Sequence, residues 1–65
     1  MTVEGTVVEA LPGATFKVRL DDERKILAYL AGRMRLRHIR ILPGDRVRVE
    51  LPEKESERGR ITWRL

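Results

Sequence analysis

Two short segments in which apolar and charged residues alternate without interruption constrain the fold of this chain most strongly. Residues 16–20 read FKVRL and residues 46–51 read RVRVEL. A period of two matches a strand whose successive side chains point to opposite faces of a sheet. Each segment therefore predicts a strand with one face in a core and one charged face in water.

Three further segments predict strands, and turn signals separate them. Pro12 with Gly13 suits the two central positions of a type II turn, residues 21–24 form a polar turn, and Pro43 with Gly44 marks another turn. Apolar residues at both parities, or at alternate positions, are typical of buried and half-buried strands. The additional strands are expected at residues 1–10, 26–30 and 59–65.

The aromatic residues are assigned from parity within these strands. Trp63 has the same parity as Ile61, and Phe16 alternates with basic residues, so both aromatic side chains are expected in the core. For Tyr29, packing and a stacking or hydroxyl contact with a ligand both stay open. In the last predicted strand, Ile61, Trp63 and Leu65 are expected on one side and Arg60, Thr62 and Arg64 on the other.

Between residues 32 and 41 the spacing changes to that of a helix. Arg33, Arg37 and Arg40 fall at i, i+4 and i+7, which predicts a short helix with an arginine stripe. Ala31 stands at the expected N-cap, where a Ser, Thr, Asp or Asn would stabilise the helix by about 1 kcal/mol more.

The order of three strands, a short helix and two strands predicts an all-β fold. It is the order of a five-stranded OB-fold Greek-key barrel with its helix between strands 3 and 4. A closed barrel is favoured because 65 residues without cysteine have room for one small core and no disulfide to support it. We expect one domain over residues 1–65.

Charge is distributed unevenly along the chain. Residues 1–31 carry 4 basic and 5 acidic side chains, whereas residues 32–65 carry 10 basic and 5 acidic ones. Of the 14 basic residues 11 are arginine, whose planar guanidinium suits phosphate and stacks on bases. The scarcity of aromatic residues favours recognition of RNA through its backbone and shape over base stacking.

The candidate binding residues follow from this charge map. Arg33, Arg35, Arg37 and Arg40 form the primary cluster; the alternative is a solvated helix face, but no acidic residue lies between Arg24 and Asp45. Met34 and Leu36 are either core residues or apolar contacts to an unstacked base, and Leu36 is the harder of the two to bury. Arginines expected to point outward from the last two strands would widen the patch: Arg46, Arg48, Arg60 and Arg64.

Nothing in the sequence supports catalysis. His38 is the only histidine and there is no cysteine, so a packing or phosphate-contact role is favoured for His38 over a metal site. The carboxylates Asp21, Asp22 and Glu23 are explained by a solvated hairpin tip. We expect no enzyme activity, no cofactor and no metal. No uncharged run, such as residues 10–16, is longer than seven residues, which is too short to cross a membrane, so a cytoplasmic location without membrane contact is expected.

Residues 29–35 (YLAGRMR) and 39–47 (IRILPGDRV) strongly resemble bacterial translation initiation factor 1. The likeness extends through residues 5–12, 16–18 and 59–61. The resemblance implies a monomeric OB-fold protein that occupies the decoding A site of the small ribosomal subunit. It would contact ribosomal RNA and a neighbouring ribosomal protein, and act with other initiation factors. By position it implies RNA contacts at Arg33, Met34, Arg35, Arg40, Arg58, Arg60 and Arg64.

Two other functions remain open on the sequence. One is a general binder of single-stranded RNA or DNA. The other is an engineered or reconstructed OB-fold scaffold with only generic nucleic-acid affinity, which is suggested by the unusual loop sequence PEKE at residues 52–55. Binding to folded ribosomal RNA, to unstructured oligonucleotides, or to neither distinguishes the three.

Overall fold

The computed structural model describes residues 1–37 and 39–65. His38, with its expected packing or phosphate-contact role, lies outside the described residues. The described part contains five strands and one helix. In chain order they are β1 (Thr2–Leu11), β2 (Thr15–Leu20), β3 (Lys25–Leu30), α1 (Gly32–Leu36), β4 (Arg46–Glu50) and β5 (Arg58–Arg64).

The five strands close into a barrel in the order β1-β2-β3-β5-β4. The 10-residue strand β1 closes it by pairing with both β2 and β4, while β3 and β5 run parallel. Closure protects most of the strand edges, because β1 pairs with β4 over residues 2–6 and with β2 over residues 5–11. The predicted OB-fold barrel, with its short helix between strands 3 and 4, is confirmed.

The core consists of inward-facing residues of every strand, one residue of the helix, and Ala31, Ile41 and Leu51 from the connections. Phe16 belongs to it, as its alternation with basic residues predicted. Because apolar side chains at alternate positions face inward, each strand contributes to one shared interior. The largest fully buried side chains are Met34, Leu51, Ile61, Val7, Val18, Val47 and Val49.

The helix is shorter than its arginine spacing predicted. It ends at Leu36, and the backbone N–H of Arg37 donates to the carbonyl oxygen of Arg33 at 3.2 Å as the C-cap. No side chain caps its N-terminus, as expected for Ala31. One turn without a cap has little stability of its own, and the chain beyond it leaves the helix to bury Ile41 in the barrel. The predicted continuous stripe through Arg37 and Arg40 is therefore wrong.

A β-bulge near the end of β5 overturns the predicted parity of that strand. Val49 pairs with Ile61, but the next residue, Arg48, pairs with Trp63, so Thr62 is an extra residue opposite Arg48. An inserted residue shifts every following side chain to the other face. Trp63 therefore shares the outer face with Arg48 and is 43% exposed. Its predicted place in the core is wrong, and Leu65, expected on the same side, is also exposed.

The connection between β1 and β2 has three residues where two central turn residues were expected. Leu11 pairs with Thr15, and Gly13 and Ala14 both adopt a positive φ, of 80° and 57°. Glycine is suited to this left-handed conformation, whereas alanine adopts it at a cost. The predicted turn at Pro43 and Gly44 is present, since Gly44 has a φ of 95°.

Arg46 links three parts of the outer barrel surface. Its Nη1 and Nη2 atoms donate to the two carboxylate oxygens of Asp21 at 2.7 and 3.0 Å, and Nη1 also donates to the hydroxyl of Thr6 at 3.2 Å. Glu4 lies 3.5 Å away. The hydrogen bond from Arg46 lowers the pKa of Asp21, and the same bond raises the pKa of Arg46. The pair joins β4 to the turn after β2, across β1.

We expect Gly5→Ala to destabilise the barrel. A Cβ atom at position 5 would lie 2.6 Å from the carbonyl oxygen of Arg19 and 2.8 Å from the side chain of Val18. Because one of these atoms belongs to the backbone of the paired strand, relief requires movement of β2. Overpacking of this kind costs about 1–3 kcal/mol, and urea unfolding would measure the change.

Gly32→Ala is the matched control for this substitution. A Cβ atom there meets nothing within 4 Å, and the residue is in α1. Alanine in a helix is more stable than glycine by up to about 1 kcal/mol, so this variant should be as stable as the parent chain or slightly more so. A Gly5→Ala variant that unfolds at the same urea concentration as the parent would contradict the steric argument.

The Asp21–Arg46 pair predicts a pH dependence of definite sign. Because the pKa of Asp21 is lower in the folded chain than in the unfolded chain, the pair contributes stability above an unfolded pKa of about 3.9 and loses it as pH falls through the folded value. The carboxyl resonance of Asp21, followed by NMR, should titrate below its ordinary range and return to it in Arg46→Met. Arg48→Met should leave it unchanged; an unshifted Asp21 in the parent chain would refute the pairing.

Candidate nucleic-acid interface

The arginines predicted to bind RNA gather around α1 and the end of β5. We call Arg33, Arg35, Arg37, Arg40 and Arg64 the arginine cluster. All five are exposed. Arg33 donates from Nη2 to the carbonyl oxygen of Thr62 at 3.2 Å, and Arg64 donates from Nη1 to the carbonyl oxygen of Arg40 at 3.0 Å. These two bonds tie both ends of the segment 33–40 to β5.

The charges of the arginine cluster are not matched by acids. Among residues 1–37 and 39–65, none of the ion pairs involves a member of the cluster. Arg33 and Arg64 each use one N–H on a backbone carbonyl, which leaves the rest of each guanidinium's five N–H donors for a ligand. Several unmatched cations on one projecting element form a surface of positive potential that attracts polyanions.

Arg46 and Arg48 face outward as predicted, but acids already hold them. Arg46 forms the two-bond pair with Asp21, and Arg48 lies 4.0 Å from Glu4. A phosphate would have to compete with the Asp21 carboxylate for the same guanidinium donors. Arg48 is held less closely than Arg46, so its charge is the more available of the two.

Of the two large apolar residues of α1, one is buried and the other is exposed. Met34, which the resemblance implied as an RNA contact, has no exposed side-chain surface and packs in the core. Its role in this structure is to anchor α1 on the barrel, so the inference of a direct contact is corrected. Leu36 is 82% exposed at the end of the helix, where it was expected to be hard to bury.

Tyr29, Arg58 and Arg60 lie together on the parallel β3–β5 pair. Tyr29 is directly opposite Arg60, and Arg58 is opposite Leu27. Tyr29 is 49% exposed, so its ring is accessible to a ligand. The structure does not merge Arg58 with the arginine cluster, because it stands at the start of β5 while Arg64 stands at its end.

Trp63 is the residue of this surface that sequence reasoning missed. Its parity with Ile61 pointed inward, and only the bulge at Thr62 turns it outward. No glycine or proline in residues 60–64 marks the extra residue. The bulge is visible only in the pairing of β4 with β5. There, the hydroxyl of Thr62 donates to the carbonyl oxygen of Arg48 at 3.4 Å.

The described residues contain no helix long and apolar enough to pass through a lipid bilayer.

The fold and sequence are similar to those of known proteins. The solution structure of translation initiation factor 1 from the Wolbachia endosymbiont of Brugia malayi superposes with a TM-score of 0.80 at 43% identity, covering 100% of this chain and 77% of that one. YjeQ from Thermotoga maritima superposes with a TM-score of 0.79 at 29% identity, but this chain covers only 23% of it.

A protein-family model confirms the resemblance to initiation factor 1. The model for translation initiation factor 1A / IF-1 matches residues 1–65. The match therefore includes every strand of the barrel, α1 and the arginine cluster, and it places the chain among proteins that act in translation initiation. With the Wolbachia factor superposed over the whole chain, this shows that the chain belongs to the translation initiation factor 1A / IF-1 family.

Proposed function

We propose that this protein binds the decoding A site of the small ribosomal subunit and contacts ribosomal RNA through the arginine cluster. Family membership supports a role in initiation. The observation that carries the proposal is the set of exposed arginines, unmatched by acids, on one end of the barrel. RNA is the polyanion that this family's role in translation makes available to such a surface.

Arg35 and Arg37 are the proposed leading contacts. Both are exposed, and neither is engaged by a side-chain hydrogen bond within the described part of the chain. Their guanidinium groups are free to bind two oxygens of one phosphate at once. Each phosphate that they neutralise releases counterions from the RNA, so binding should weaken steeply as salt rises.

Arg33, Arg40 and Arg64 support these contacts from a more rigid frame. The bonds from Arg33 to Thr62 and from Arg64 to the Arg40 carbonyl hold the segment against β5. A ligand that meets pre-positioned side chains loses less conformational entropy on binding. Arg58 and Arg60, and more weakly Arg46, are proposed as secondary contacts on the side of the barrel.

The size of the protein suits a blocking role. The barrel measures 28 × 21 × 20 Å. A body of this size, held at the A site by the arginine cluster, would occlude premature entry of transfer RNA. In this proposal the protein acts as a monomer, beside a neighbouring ribosomal protein and the other initiation factors, which would contact the barrel away from the arginine cluster.

Reversing the charge of Arg35 and Arg37 should abolish co-sedimentation with the small subunit. The variant R35E/R37E removes two phosphate contacts and adds two repulsive charges, so we expect a loss of affinity of at least about a hundredfold at moderate salt. Both side chains are exposed, so circular dichroism and thermal unfolding should show an intact barrel.

R19E/K25E is the control for this variant. Arg19 and Lys25 are exposed, pair with each other across β2 and β3, and lie outside the candidate site, so this variant makes the same change in net charge elsewhere. It should retain most of the affinity. An equal loss of affinity in both variants would show that binding depends only on the net charge of the protein. No loss of affinity in R35E/R37E would refute the proposal. Equal affinity for an unstructured oligonucleotide would indicate a general single-strand binder.

A further inference from the structure

We propose that Trp63 is a stacking platform for an unpaired RNA base at the border of the arginine cluster. The inference rests on the proposed function and deepens it, because it adds a base contact to an interface otherwise made of phosphate contacts. It assigns to the end of β5 an aromatic surface for a base, which the arginine cluster does not contain.

The bulge at Thr62 removes the Trp63 side chain from the core. With regular pairing, Trp63 would follow Ile61 into the barrel interior, but the extra residue directs it to the outer face, where it is 43% exposed. Burial of an aromatic side chain is among the largest sources of apolar stabilisation. Bulges often re-aim a side chain beside a functional site, and here the re-aimed side chain is the only tryptophan of the chain.

Three arginines are placed next to Trp63 by the strand pairing, a hydrogen bond to the preceding residue and the sequence. Arg48 is the direct partner of Trp63 across the β4–β5 pairing. The guanidinium of Arg33 is held on the carbonyl of Thr62, the preceding residue, and Arg64 is the following residue. Arg48 lies 4.0 Å from Glu4, and none of the ion pairs among residues 1–37 and 39–65 involves Arg33 or Arg64.

This combination favours a nucleic-acid base over an apolar protein partner. A base stacked on the indole face brings its own phosphates, which the flanking guanidinium groups can bind. A hydrophobic protein surface would have to desolvate three arginines without compensation. Unpaired bases that leave a folded RNA stack preferentially on aromatic side chains and guanidinium planes.

Tryptophan emission reports this contact directly, because Trp63 is the chain's only indole. We expect emission to be quenched by protein-free small-subunit ribosomal RNA and by a single-stranded oligonucleotide. Inorganic polyphosphate of matched charge has no bases, so it should bind at low salt with little quenching. Equal quenching by polyphosphate would overturn the proposal, since it would show that charge alone changes the emission.

Substitutions at Trp63 separate stacking from apolar contact. Trp63→Phe should retain most of the affinity for the small subunit, whereas Trp63→Leu should lose roughly 5- to 150-fold, the range for removing one base–aromatic stack. Val8→Thr, which alters a side chain of similar exposure outside the cluster, should have no effect. Because Trp63 is 43% exposed and partly packed on the outer face, thermal unfolding of both variants is measured first, and binding is compared at a temperature where both are folded.

The failure of this proposal can be distinguished from that of the proposed function. If R35E/R37E abolishes binding while Trp63→Leu binds as well as the parent chain, the stacking proposal is refuted and the proposed function stands. If Trp63→Leu weakens binding to the small subunit but no RNA quenches Trp63, the residue contacts a ribosomal protein, and base stacking is refuted.

Discussion

Closure of the barrel by β1 is the constraint on which the rest of the structure depends. Gly5 pairs with Leu20 of β2 on one side and with Val47 of β4 on the other, and β2 lies so close that a Cβ atom would meet its backbone. A small chain without disulfides stabilises a core only if its strands enclose it completely. Once β1 closes the ring, the alternate apolar residues of all five strands share one interior, and no charged residue of the described chain is buried in it.

The arrangement of the functional surface follows from how α1 joins this ring. Met34 is buried in the core, and the rest of the helix is too short and too poorly capped to be stable alone. Burial of one side chain therefore holds a helix whose other residues are Gly32, two arginines and an exposed leucine. The bonds of Arg33 and Arg64 to backbone carbonyls add a second attachment, to β5. The buried Met34 and the exposed arginines on either side of it, Arg33 and Arg35, therefore belong to the same helical turn.

The outer surface separates arginines that stabilise the barrel from arginines available to a ligand. Arg46 is held by the carboxylate of Asp21, which lowers the pKa of that acid, and it bridges distant parts of the chain. Arg35 and Arg37 have no such partner among the residues described here. Exposed ion pairs contribute little to stability, so the more important effect of Asp21 and Glu4 is to reduce the positive charge on the side of the barrel relative to the cluster.

The sequence by itself determined the order of the elements, the core positions of β2 and β4, the outward Arg46 and Arg48, the concentration of charge after residue 32, and the family. The family follows from the resemblance of residues 29–35 and 39–47. The other features follow from local alternation and composition, because the period of two is set by strand geometry whatever the neighbours are. Only the tertiary structure decided the length of α1, the burial of Met34 and the outward position of Trp63. Each depends on packing or pairing in the folded chain: α1 ends where the chain turns to bury Ile41, Met34 is buried because the helix packs on the barrel core, and the pairing of β5 with β4 contains the bulge that turns Trp63 outward. A single inserted residue in a ladder reverses all later parities, and no residue type at positions 60–64 announces it.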